Sequence, residues 1–168
     1  MLETLRCRLD ALREEDYNAV KQLYTDEKVR QYLGGIVGEA AYKAKFSKML
    51  EHDADSLYWV IQQRHNGEFI GLISLDLHHD NASREVSYQL LPCWWGYGYG
   101  TEAVGKIIEY AFTVLKLPKL VAETQKANTA SCRMLEKLGM KLEDTVVRFG
   151  AEQNIYGMKM RPAANYME

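Results

Sequence analysis

Leu90-Leu91-Pro92-Cys93-Trp94-Trp95-Gly96-Tyr97-Gly98-Tyr99-Gly100-Thr101-Glu102-Ala103 joins a strand-like run to a strongly helical one through three alternate glycines. Glycines at such a junction let backbone N–H groups turn toward a ligand. The helix start that follows adds a partial positive charge, so the loop suits phosphate or pyrophosphate oxygens. A tight strand-to-helix turn would use the same residues. Two commoner phosphate loops are excluded: a G-x-G-x-x-G fingerprint needs Gly or Ala where Thr101 stands, and a P-loop needs a Lys-Ser/Thr pair that is absent.

Downstream of the glycines, Ala103, Val104, Ile107, Ile108, Ala111, Val114 and Leu115 form a wide apolar stripe. Glu102, Lys106, Glu109, Thr113 and Lys116 mark the opposite face of the same helix, which Pro118 stops. Residues 120–124 read as a strand. Asn128 caps a helix over 131–138 that ends at Gly139, and 142–149 and 155–161 close the chain as a strand pair around Gly150. Upstream, residues 84–91 alternate Glu85, Ser87 and Gln89 with Val86, Tyr88 and Leu90, the period of a strand. Runs 56–63 and 69–77 flank Asn66-Gly67, a hairpin signal. Helical spacing covers 13–24 and 39–50 on either side of Gly34-Gly35, and 5–9 alternates as a short strand. The order predicts an α/β fold with a mixed sheet. Absence of repeats or linkers predicts one domain over residues 1–168, frayed at its last residues.

Composition narrows the function. The chain has 168 residues, 21 Lys+Arg against 23 Asp+Glu, and a formal charge of -2. That balance lacks the basic excess that nucleic-acid binding needs, so no nucleic-acid partner is expected. The start carries a charge every few residues, and the uncharged stretch 90–99 contains Pro92 and glycines, which predicts neither export nor a membrane span. Cys7, Cys93 and Cys132 are odd in number and without CxxC spacing, so they read as buried free thiols of a cytoplasmic protein. His78-His79 point to opposite faces if extended and no third ligand follows at metal spacing, so no metal is expected. His52 and His65 read as surface residues.

The loop from Trp95 to Ala103 resembles the acetyl-CoA loop of the GNAT superfamily of N-acetyltransferases, in the variant of the RimJ/RimL-like branch. Val29-Arg30-Gln31-Tyr32-Leu33-Gly34-Gly35 resembles that branch's acceptor-side loop, and Arg84-Glu85-Val86-Ser87-Tyr88-Gln89-Leu90 its central strand. Residues 128–140 resemble its second CoA-contacting helix, so the match runs in order from Leu5 to Met160. The resemblance implies a mixed, mostly antiparallel sheet splayed between its fourth and fifth strands, with helices on both faces. It implies acetyl-CoA as cosubstrate, held by Gln89, Leu90, Trp95, Gly96, Tyr97, Gly98, Tyr99, Gly100, Thr101, Asn128 and Ser131. The acceptor, a primary amine on a protein N-terminus or a small molecule, would meet Tyr32 and Leu33. Transfer would be direct, in a ternary complex, by a monomer or homodimer.

This sequence departs from the family at Trp95, where Gln or Arg is usual, and at Tyr97, often basic, so pyrophosphate binding would rest on backbone amides. The family's acid tyrosine, seven residues after the Asn, is Leu135 here. Ser131 is the candidate replacement: with Leu135 and Leu138 it falls at i, i+4 and i+7, on the helix's inward stripe. A serine in a first turn can equally serve local backbone. An amine with a pKa near ~10 must lose a proton before it attacks. Glu123, five residues before Asn128, matches the family's general base, and Glu85 on the adjacent strand is the alternative. Without the acid tyrosine, a non-catalytic acyl-CoA-binding module is the rival reading, with a generic nucleotide-binding domain behind it.

Overall fold

A computed structural model describes residues 1–51 and 55–160. The reading of His52 as a surface residue, Arg161 as the end of the last strand and the frayed final residues lie outside the described residues. Along the chain run β1 (Leu2–Glu3), β2 (Cys7–Ala11), α1 (Tyr17–Thr25), α2 (Glu27–Arg30), α3 (Glu39–Leu50), β3 (Leu57–Gln63), β4 (Phe69–Leu77) and β5 (Arg84–Leu90). Then come α4 (Tyr99–Thr113), β6 (Lys119–Gln125), α5 (Thr129–Lys137), β7 (Lys141–Arg148) and β8 (Ala151–Lys159). The strands form one sheet in the order β1-β2-β3-β4-β5-β6-β8-β7.

Every neighbouring pair is antiparallel except β5 and β6, which α4 joins as a parallel crossover. β5 is paired with β4 from Arg84 to Leu90. With β6 it pairs only at Arg84–Leu120 and Glu85–Val121. Beyond Glu85 the two strands part, leaving a wedge that opens toward the glycine loop. The expected splay is therefore present, between the fifth and sixth strands, because the short β1 precedes those read from sequence.

Period-two alternation gives the sheet two buried faces. One packs Leu9, Ile73, Leu75, Val86 and Leu120 against Val104 and Ile107 of α4 and Leu135 of α5; the other packs Val60 and Leu72 against Val20, Leu23, Tyr42 and Phe46 of α1 and α3. The stripe on α4 overran its helix by two residues. Val114 is 61% exposed, because Lys116 turns left-handed (φ 55°) and Leu117 N–H bonds back to Ala111. The hairpin at Asn66-Gly67 is present with a four-residue loop, closed by Gln63 N–H to Glu68 O at 2.8 Å. The sequence pattern missed α2, a single turn begun by the Asp26 carboxylate accepting from Val29 N–H at 2.9 Å. Cys7 and Cys132 are buried as expected, whereas Cys93 is exposed in the loop after β5. No helix among the described residues is long and apolar enough to cross a membrane.

Candidate active site

The glycine loop sits where the wedge is widest. Gly96 and Gly98 have φ of 81° and 85°, a left-handed backbone that L side chains resist. Gly98 is the N-cap of α4 and has no side chain to satisfy the helix's first N–H groups, which are left for a ligand. Gly100 lies where a Cβ would stand 3.2 Å from Met134 Sδ, so it lets α4 approach α5. Trp95 and Tyr97 project outward, 46% and 67% exposed, and the Trp95 indole donates to Leu90 O at 2.9 Å. Thr101 is half-buried in the first turn of α4. Tyr99, expected among the cofactor contacts, turns inward. Its ring is buried edge-on to Trp94, and its hydroxyl accepts from Gln63 Nε2 at 3.0 Å.

A charge near this loop comes from far away in sequence. Arg6, between β1 and β2, donates from Nη1 to Tyr97 O at 2.9 Å and lies 4.4 Å above the Tyr99 ring. Glu102 holds it, accepting from Arg6 N at 2.6 Å and Arg6 Nε at 2.8 Å.

On the α4/α5 side of the wedge, Leu91 N–H bonds to Ile70 O of β4 at 2.9 Å, so alternation turns the Leu90 N–H and C=O away from β4, toward the wedge. Gln89 consequently spends its backbone on β4. Across the gap, Asn128 caps α5 by accepting from Ser131 N at 3.2 Å, which places the buried Ser131 hydroxyl in the first turn. That hydroxyl meets the Tyr88 phenol at 2.5 Å. Sequence reading assigned Tyr88 only to a strand face. Its one signal was an inward β5 position opposite the inward stripe of α5.

The other face of the same strands is charged. Glu85 and Glu123 share it, and Glu123 keeps only 7% of its side chain exposed. Asp80 N–H donates to His78 Nδ1 at 3.3 Å, and the buried ring meets Glu123 Oε2 through Nε2 at 2.8 Å. Arg148 Nε lies 3.2 Å from Glu123 Oε1, an ion pair not aligned as a hydrogen bond, which leaves that oxygen short of a donor. Burial first, and the Glu123 charge second among the raising causes, push the Glu85 carboxyl up to about 7. His78 and Arg148 also line a cavity of about 340 Å³, together with Asp80, Lys119 and Asp144.

His78, Glu85 and Glu123 each offer a ligand atom within 4.8 Å of the others. The sequence spacing found no third ligand beside the histidine pair, because the fold draws its carboxylates from two other strands.

Tyr32 and Leu33 lie in the turn after α2, half-buried and exposed respectively. Arg30 shapes that turn. Its Nε donates to Gly35 O at 2.9 Å, its Nη2 to Leu33 O, and its Nη1 to Gln89 Oε1 at 3.3 Å. Gln89, expected to hold the cofactor, thus directs its side chain to Arg30 and the Tyr32–Leu33 turn.

Comparison with known proteins agrees with this architecture. The chain is 26% identical over 154 residues to the uncharacterized N-acetyltransferase YoaA of Bacillus subtilis, covering 89% of this chain and 87% of the relative. It is 30% identical over 139 residues to the spermidine N(1)-acetyltransferase of Escherichia coli K12, covering 81% and 73%. Its fold superposes with a TM-score of 0.81 on the Vibrio cholerae spermidine N-acetyltransferase solved with CoA and spermine, at 19% identity over 94% of this chain and 97% of that one. The acetyltransferase (GNAT) domain matches residues 6–141, and the chain belongs to this family of acyltransferases.

Proposed function

We propose that the chain moves an acetyl group from acetyl-CoA to a primary amine by direct attack in a ternary complex. In this reading residues 1–168 work as one domain of the RimJ/RimL-like kind, in the cytoplasm, where free thiols such as Cys7, Cys93 and Cys132 persist. One observation carries the proposal: β5 and β6 part beyond Glu85, and the helix start that Gly98 leaves uncapped stands at the mouth of the gap. The pantetheine arm would fill the wedge, with its pyrophosphate on the N–H groups around residues 96–101. The thioester carbonyl would accept from Leu90 N–H, a donor aimed where negative charge develops.

The acceptor ammonium enters from the α1–α3 side, under the Tyr32–Leu33 turn. Glu85 and Glu123 draw it in. Glu85 takes its proton, directly or through a water, since a base near neutrality is matched to that task. Glu123, held by His78 and Arg148, stands beside Glu85 and raises its basicity. The freed amine attacks the carbonyl carbon, and the C–S bond breaks as the thiolate leaves toward Ser131. The relative that acts on spermidine supports an amine acceptor, and the acidic pair supports one bearing positive charge.

The test is an amine screen at fixed acetyl-CoA, read as free thiol released and acetylated product formed. Amine-dependent thiol release is expected. CoA at a hundredfold over its Kd should also raise the unfolding free energy by ~2.7 kcal/mol. A thermal shift with no turnover on any amine would instead establish the acyl-CoA-binding module, and no shift at all would remove both readings.

A further inference from the structure

We propose that Tyr88 is the positioning residue for the leaving group, donating its hydrogen bond to Ser131 so that Ser131 gives its own hydrogen to the CoA thiolate. The inference rests on the acetyl-transfer reading above and adds a residue to it.

The contact between the phenol and the hydroxyl bridges the two elements that diverge. Tyr88 stands on β5 where that strand no longer pairs with β6, and Ser131 lies in the first turn of α5, the element after β6, so the Oη–Oγ line of 2.5 Å crosses the wedge. A serine has one hydrogen to give, and its neighbour decides where that hydrogen points. Asn128 engages only the Ser131 backbone N–H, leaving the hydroxyl to its partner across the gap. Burial pushes the Tyr88 phenol up to about 12, so it remains protonated throughout the working range. A thiolate accepts and cannot donate. Its arrival at Ser131 therefore sets one direction for the chain, from Tyr88 O–H to Ser131 O–H to sulfur, in which each bond strengthens the next. Leu135, the next inward residue of α5, is fully buried and offers no phenol, so β5 supplies one from the facing side.

The step balances. The C–S electron pair goes to sulfur, the Ser131 proton moves onto the thiolate, and the Tyr88 proton moves onto the Ser131 oxygen. Of the two protons that the ammonium gives up, one leaves to solvent by way of Glu85 and the other returns through water to the Tyr88 phenoxide. The contact with sulfur exists only as the tetrahedral intermediate collapses, so its loss lowers kcat and kcat/KM together and leaves acetyl-CoA affinity alone.

Tyr88→Phe removes one oxygen and keeps the ring. It should lower kcat about 10-fold with the KM for acetyl-CoA and the CoA-induced thermal shift unchanged, and it should reduce the solvent deuterium effect on kcat. Ser131→Ala should cost as much or more. The decisive measurement is the double variant, which should be no slower than Ser131→Ala, because Tyr88 acts through that hydroxyl. Losses that multiply to about 100-fold would overturn the relay, as would an unchanged kcat in Tyr88→Phe. Should Tyr88→Phe fail to fold, Ser131→Ala decides, and an undiminished isotope effect in it overturns the proposal. Turnover by the unaltered chain tests the acetyl-transfer reading separately: no turnover removes both, whereas normal turnover with silent variants removes only the relay.

Discussion

The polar groups on the two faces of β5 differ in kind although they lie three residues apart. Toward α4 and α5 stands the neutral pair Tyr88 and Ser131; toward α1–α3 stands Glu85, with Glu123, His78 and Arg148 around it. Desolvation is the largest cause of the shift on both sides, yet its consequences are opposite. It moves a phenol from an ordinary value near 10 to about 12, above any working pH, so that it rests protonated with a hydrogen to give. It moves a carboxyl up to about 7, into the working range, which suits the proton-acceptor role proposed for Glu85. Burial, applied to two side chains three positions apart on opposite faces of one strand, thus gives a held proton on one face and a titratable carboxyl on the other.

The most damaging way to break the contrast is Glu85→Gln. It should lower kcat/KM for the amine by ~10²–10⁴-fold, the span of a general base. In the unaltered protein the rate should climb as pH rises through about 7, because the raised Glu85 carboxyl is protonated and idle below that value. The variant should lose this inflection, and an inflection retained in Glu85→Gln would hand the role to another group. Glu123→Gln should cost less, about 10-fold, and should sharpen the picture. Removing a like charge beside Glu85 lowers its pKa, so the inflection should move below 7; a pH profile displaced upward would contradict the assigned role of Glu123. The mildest change is Arg30→Ala, which releases the Tyr32–Leu33 turn from Gln89. The KM for the amine should rise about 5-fold, matching ~1 kcal/mol for a lost hydrogen bond, with the KM for acetyl-CoA unaltered. Equal changes in both constants would detach that turn from the acceptor.

Local patterning was enough to find the sheet's larger strands and four of its helices, since alternation and 3.6-residue stripes follow from which face is buried. It also located the parting between β5 and β6 once the family likeness was drawn. Short elements escaped. α2 is one turn held by the Asp26 cap, and β1 exists through pairing Leu2 and Glu3 with Leu9 and Arg8, neither of which leaves a periodic signature.

Within the site, the glycines at 96, 98 and 100, the Asn128 cap and the inward Ser131 were legible because each obeys a rule spanning a few residues. The partners were not. Tyr88 and Ser131 are 43 residues apart, His78 and Glu123 are 45 apart, and Arg6 reaches Glu102 across 96. Such contacts depend on strand order and on which side of a strand faces which helix, and composition or spacing carries no record of either. The same holds for Tyr99, whose place in the loop suggests a ligand wall while packing against Trp94 turns it into the core. Backbone preference and hydrophobic period act between near neighbours and can be read from the chain. The electrostatic partners of a buried carboxylate or hydroxyl are assigned only when folding removes water and brings distant strands together, and those partners set the protonation that the chemistry requires.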